Sequence, residues 1–128
     1  MKLSFRLLAT VSALMFLLLA MIWLFAPGLL LGDWGVEVTG GVELESRRSA
    51  ALFAGLGGMR FSARDAGPSP VRSALIRGLM VTMVIMSLLG VYEWQAGHAG
   101  VHILGAVVIE LAMLLALIYV GKTETTAA

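Results

Sequence analysis

Cysteine is absent from this chain, which excludes disulfides, thiolate metal sites and cysteine nucleophiles. Charge is scarce too: Asp, Glu, Lys and Arg make up 13% of 128 residues and balance to a net +1. So few ionised side chains cannot coat a soluble domain of this length. The lack of a strongly basic balance removes the usual argument for a nucleic-acid partner. Proline occurs three times, at Pro27, Pro68 and Pro70, always between apolar runs where a helix has to stop. What abounds is hydrocarbon: 59% of residues are hydrophobic and the mean hydropathy is +0.94. Several runs are long enough to span a bilayer, so the sequence predicts an all-α integral membrane protein. The length suits one bundle of four transmembrane helices and leaves no room for a separate soluble domain.

The first expected helix covers about residues 7–25 and is closed by "APG". Basic Lys2 and Arg6 ahead of it give it the look of a secretory signal. However, cleavage after Ala26 would place Leu24 where a small residue belongs and Pro27 immediately after the cut, so it is expected to be retained. An acidic outer loop follows over residues 26–45, carrying Asp33, Glu37, Glu43 and Glu45. Its "VEVTGGVEL" alternates around Gly-Gly, which suits either a hairpin or a segment leading into the second helix; the latter is preferred. The second helix, residues 46–64, is the least apolar. Leu52, Phe53 and Leu56 supply about −1 to −2 kcal/mol of insertion free energy, against about +3 for one central arginine. The distribution of positive charge nevertheless argues that it crosses. With it in the bilayer, Lys2, Arg6, Arg60, Arg64, Arg72, Arg77 and Lys122 share the cytoplasmic side, and only Arg47 and Arg48 lie outside, among four acids. Residues 65–70, "DAGPSP", form the cytoplasmic turn; residues 71–92 and 98–120 are the third and fourth helices, and both termini are cytoplasmic. Trp23, Trp34, Tyr92 and Trp94 fall where an outer aromatic belt belongs.

Between lipid-embedded helices, close packing depends on small residues. The second helix carries Ser46, Ala50, Ala54, Gly58 and Ser62 at four-residue spacing, with Ala51 and Gly55 beside them. This stripe is expected to pack within the bundle; the alternative is a face for another subunit or a second copy. Arg60, Arg64, Arg72 and Arg77 form a basic rim suited to anionic lipid headgroups.

Glu110 lies in the middle of "HILGAVVIELAMLLALIYV". Its cost at mid-bilayer, about +3 kcal/mol, is outweighed by twelve Leu, Ile and Val side chains between Val101 and Val120, worth about −4 to −7. Three roles compete. Glu110 is a protonated or paired carboxyl that bonds to Arg48, Thr82, Ser87 or a backbone carbonyl and locks the bundle, or a proton or cation site in a transporter, or a ligand acting with the histidines. His98 and His102, four apart on a helix, would face one metal ion, with Glu93, Glu43 or Glu45 completing the set. A tetrapyrrole on His102 is a further alternative, with Gly100, Gly105 and Ala106 leaving space. Histidines satisfied by water and headgroups are preferred to either, so no cofactor is expected. "GLGGMR" lacks the preceding strand and following Lys-Ser/Thr of a phosphate loop, and no Ser-His-Asp set can be placed.

"LFAPG" closing the first helix, the acidic loop, "RRSAALFAGLGGMRFSAR" and "VRSALIRG" together resemble small bacterial four-helix membrane proteins classed as domains of unknown function. The resemblance covers about residues 18–90 and implies architecture in a bacterial inner membrane, with no activity attached. The leading expectation is therefore a non-enzymatic structural or accessory protein packing against other membrane subunits. A small proton-coupled transporter or channel using Glu110 is the alternative, and a metal- or pigment-binding protein using His98 and His102 is the third.

Overall fold

The computed structural model describes residues 2–127, with side chains through residue 123, and the fold is all-helical among them. Helix α1, Phe5–Phe25, is started by the Ser4 hydroxyl, which accepts from Leu7 N at 3.2 Å. It stops because Ala26 precedes a proline and leaves the helical region, at φ −145°. A short helix the sequence did not announce, α2 (Gly28–Asp33), folds back along the loop and buries Leu31. Helix α3 spans Gly40–Ser62; it therefore starts six residues earlier than the expected residue 46. The reason is local: Thr39 caps it through Val42 N, and Glu43 reaches Arg47 one turn on at 3.0 Å. "VEVTGG" is thus a lead-in to the helix, and no hairpin forms there.

Helix α4, Pro70–Gln95, has Ser69 as its cap and proline in its first turn, where the missing N–H is harmless. Helix α5, Ile103–Ala127, begins at Ile103 rather than His98. Gly97, at φ +78°, turns the chain out of α4, and Gly100 N then donates to Trp34 O at 2.6 Å, which holds residues 98–102 in non-helical turns.

The helices form two antiparallel pairs. In one, α3 runs along α1, with Arg60 beside Phe5 and Ser12, Gly57 against Ala13 and Leu17, and Phe53 stacked on Phe16 at 6.0 Å. In the other, α4 and α5 meet at Gly90–Val107 and Ile76–Gly121. The pairs join through α1: Phe5, Leu8 and Phe16 share a core with Ile76, Leu79, Met83, Met113, Leu117 and Val120. The start of α1 and the end of α5 lie at one end of the bundle, where Arg6 pairs with Asp65 at 3.0 Å. The α1–α3 and α4–α5 connections meet at the other end, called the loop end below.

Outside this core the surface is apolar. Leu14, Leu18, Ile85, Leu88, Val108 and Leu115 are all more than half exposed, the reverse of a water-facing bundle. Three helices are long and apolar enough to cross a membrane: Phe5–Phe25, Pro70–Gln95 and Ile103–Thr123. At 23 residues α3 is about 35 Å long, enough for the hydrocarbon thickness, but its composition falls short of the other three.

The face by which α3 packs differs from the expected stripe. Ser46, Ala50, Gly57 and Arg60 are buried and Phe53 is half-buried, whereas Ala51, Ala54, Gly55, Gly58 and Ser62 are exposed. Four-residue steps drift about 40° each, so Ser46 and Ser62 point about 160° apart. Alternating steps of four and three, as in 46, 50, 53, 57 and 60, stay in register with a straight neighbour.

Candidate intramembrane binding site

Glu110 is a half-buried carboxyl within the apolar part of the fold, about two turns inside α5. Across the helix contact it faces the Ser87 hydroxyl of α4. Even so, Ser87 Oγ and Glu110 Oε2 are both buried without a hydrogen-bond partner of adequate geometry. Arg48 stays exposed on α3, and Thr82 donates its hydroxyl to Gly78 O at 3.1 Å on its own helix. Of the side chains that the sequence offers Glu110, Ser87 is the one that the fold brings to it.

Glu110 lies in the wall of an open-sided cavity of about 460 Å³ lined by residues of α1, α2, α3, α4 and α5. Phe16, Trp23, Trp34 and Phe53 line one side, and Met15, Met83, Met86 and Met113 much of the rest. Trp23 packs against Trp34 at 6.1 Å and on Phe53 at 6.5 Å, giving a continuous aromatic wall. Half of the chain's eight methionines line this space, where their unbranched, polarisable side chains adapt to an irregular guest. Asp33 and His102 stand at the loop end of the same cavity, His102 Nδ1 lying 3.1 Å from Asp33 Oδ1. Both are more than half exposed, so they form a mouth and Glu110 the interior.

The volume is that of a small-molecule site: mostly apolar, with few polar groups. No lysine or arginine lines it. An ionised Glu110 therefore faces no lysine or arginine across the cavity. Aromatic faces beside a carboxylate attract a cationic partner.

The two histidines take separate partners. His98 Nδ1 is 2.7 Å from Glu93 Oε2, and the ring packs edge-on against Tyr92; His102 turns to Asp33. The four-residue spacing aligns two histidines only on a helix, and residues 98–102 precede α5. Among the described residues, no three His, Asp or Glu side chains are grouped to hold a metal ion. A His102 bonded to Asp33 and opening onto the cavity keeps Gly105 and Ala106 beside it.

The four arginines of the expected rim also separate. Arg60 is 2% exposed, donates from Nε to Ser12 Oγ at 3.0 Å, and leaves both Nη atoms buried without partners. Arg64 stacks on Phe61 at 3.9 Å and donates to Phe61 O. Arg72 stacks on Phe5 at 3.9 Å and donates to Ala66 O. Arg77 alone of the four remains on an exposed helix face at the end of the bundle where α4 begins, its Nε making a long 3.4 Å contact with Ser73 O.

Asp33 and Trp34 return to the cavity through α2, and a six-residue helix leaves little periodicity to detect. The methionine spacing Met80, Met83, Met86 on α4 was the available signal.

Fold and surface together define a helical membrane protein. Comparison with protein-family models, curated proteins and solved structures finds no match, so the site has to be read from its own chemistry.

Proposed function

We propose that the chain is a non-enzymatic, four-crossing bundle of a bacterial inner membrane that binds a small lipophilic cation over Glu110 and exchanges it for a proton. The observation that carries this reading is the Glu110 carboxyl, unpartnered at Oε2, in a cavity walled by aromatic rings and methionines. Four crossings are supported by the pairing of α3 with α1: a bilayer that contains α1 also surrounds the helix packed along it. Both termini then lie on the cytoplasmic side, with Lys2, Arg6, Arg77 and Lys122. Reporter fusions at Gly67 and at the C-terminal tail test the topology, and a periplasmic location for either overturns it.

The binding test uses benzyltrimethylammonium as probe and the protein in lipid nanodiscs. Trp23 and Trp34 form part of the wall, so filling the cavity changes their fluorescence, and each bound cation releases a proton into a weakly buffered medium. Glu110→Gln should abolish both signals. Proton release that persists in Glu110→Gln removes the exchange mechanism.

The exposed face of α3 supports a second reading, an accessory role in which Ala51, Ala54, Gly55 and Gly58 receive a helix of another subunit or of a second copy. Purification in mild detergent should then recover a stoichiometric companion chain or a dimer; a lone monomer removes this reading.

A further inference from the structure

The cavity over Glu110 is long as well as apolar. His102, Gly105, Ala106, Ile109, Glu110 and Met113 all line it, so it follows one face of α5 and of the turn before that helix. His102 stands at the mouth, and Glu110 lies seven residues beyond Ile103, about 10 Å further in at the helical rise. The aromatic wall has a matching depth. On α1, which runs towards the loop end, Phe16 lies seven residues before Trp23, again about 10 Å further in. Trp23 packs against Trp34 at the mouth, and Phe16 stacks on Phe53 inside. Each end of the cavity therefore holds one carboxylate and a pair of rings: Asp33 with Trp23 and Trp34, Glu110 with Phe16 and Phe53. Between the ends, Gly105 and Ala106 take up little of the space.

We infer that the guest of this cavity is an elongated dication, two ammonium groups on an apolar linker, with one charge over Glu110 and the other at Asp33. The inference rests on the cation reading of Glu110 and adds the length of the guest and its second charge. A cation with a single head meets only one of the two carboxylates. No lysine or arginine lines the cavity, and the basic group that does, His102, bonds one oxygen of Asp33, Oδ1. Ammonium groups are drawn to aromatic faces, which stand beside the carboxylate at both ends. The linker lies on Ile109 and on methionines that adapt to its shape. Asp33 is more than half exposed, so water screens its ion pair and the second charge adds modest affinity. What Asp33 adds is selection by length: a linker too short to cover about 10 Å leaves one end unmatched.

The test compares three probes by the fluorescence of Trp23 and Trp34, with the full-length protein in nanodiscs of zwitterionic lipid. They are octamethylene bis(trimethylammonium), tetramethylene bis(trimethylammonium) and benzyltrimethylammonium. Wild-type protein should bind the octamethylene dication about three- to fivefold more tightly than the tetramethylene one, the size that an exposed ion pair supports. Asp33→Asn, which keeps the shape of the side chain, should bring the two dications to parity. His102→Ala, which frees Asp33 Oδ1, should keep or widen the ratio; a ratio lost in that variant assigns the preference to the imidazole and overturns the role of Asp33. Equal binding of the two dications by wild-type protein that still binds benzyltrimethylammonium overturns this inference and leaves the reading of Glu110 standing. Failure of benzyltrimethylammonium to bind overturns the reading of Glu110, and this inference with it.

Discussion

Two adjacent glycines on α3 should respond in opposite ways to the same added methyl group. At Gly57 a Cβ would lie 2.8 Å from Leu17 Cγ, 3.0 Å from Leu17 Cδ2 and 3.1 Å from the backbone oxygen of Ala13. Leu17 can rotate away, but Ala13 O belongs to α1 and moves only if the two helices separate. At Gly58 nothing lies within 4 Å. Both positions are helical, so Gly→Ala gains about 1 kcal/mol of helix propensity at each, and that gain cancels in the comparison. What remains is the overpacking at Gly57, about 1–3 kcal/mol. Gly58→Ala should therefore be more stable than wild type, and Gly57→Ala less stable than Gly58→Ala by that margin. The assay is reversible unfolding in mixed micelles, followed by the fluorescence of Trp23 and Trp34. If Gly58→Ala is the more damaging substitution, α3 packs by the four-residue stripe and the register described above is wrong.

Other perturbations separate structure from function at single residues. Arg60→Met removes a buried guanidinium whose Nη groups lack partners while Ser12 keeps its bond to Ala9 O; thermal unfolding should show stabilisation of about 1–3 kcal/mol, and a loss would mean that Arg60 holds α1 to α3. Glu110→Leu should likewise raise stability by about 1–3 kcal/mol while removing cation binding, so a fall in melting temperature points to a structural lock instead. His102→Ala breaks only an exposed pair with Asp33, and because Gly100 N still holds Trp34 O, unfolding should change by about 0–1 kcal/mol; a larger loss would show that the mouth is fixed by the side chains.

The physical basis of these outcomes also explains how far the residues could be read in advance. Three long apolar helices were legible because lipid demands continuous hydrocarbon, and a run such as Ile103–Val120 has no other use. The start of α3 was harder to see. Thr39 and Glu43 carry capping information, yet Gly40 and Gly41 read equally well as a turn until the helix is observed to continue through them. The expected start of the last helix at residue 98 was too early, because the bond from Gly100 N to Trp34 O, a contact between distant loops, keeps residues 98–102 out of α5.

By itself, the order of residues determined that the chain is helical, apolar on its outer surface, and interrupted at its prolines, since each of these follows from local propensity and from the cost of leaving backbone groups unpaired in lipid. Tertiary structure decided which faces meet. It turned Gly57 inward and Gly58 outward, separated His98 from His102, divided four arginines among three kinds of environment, and placed Asp33 and two tryptophans over Glu110. Those outcomes depend on the rotation of one helix against another, which is set by the fit of side chains from segments far apart in the chain, and no local pattern encodes it.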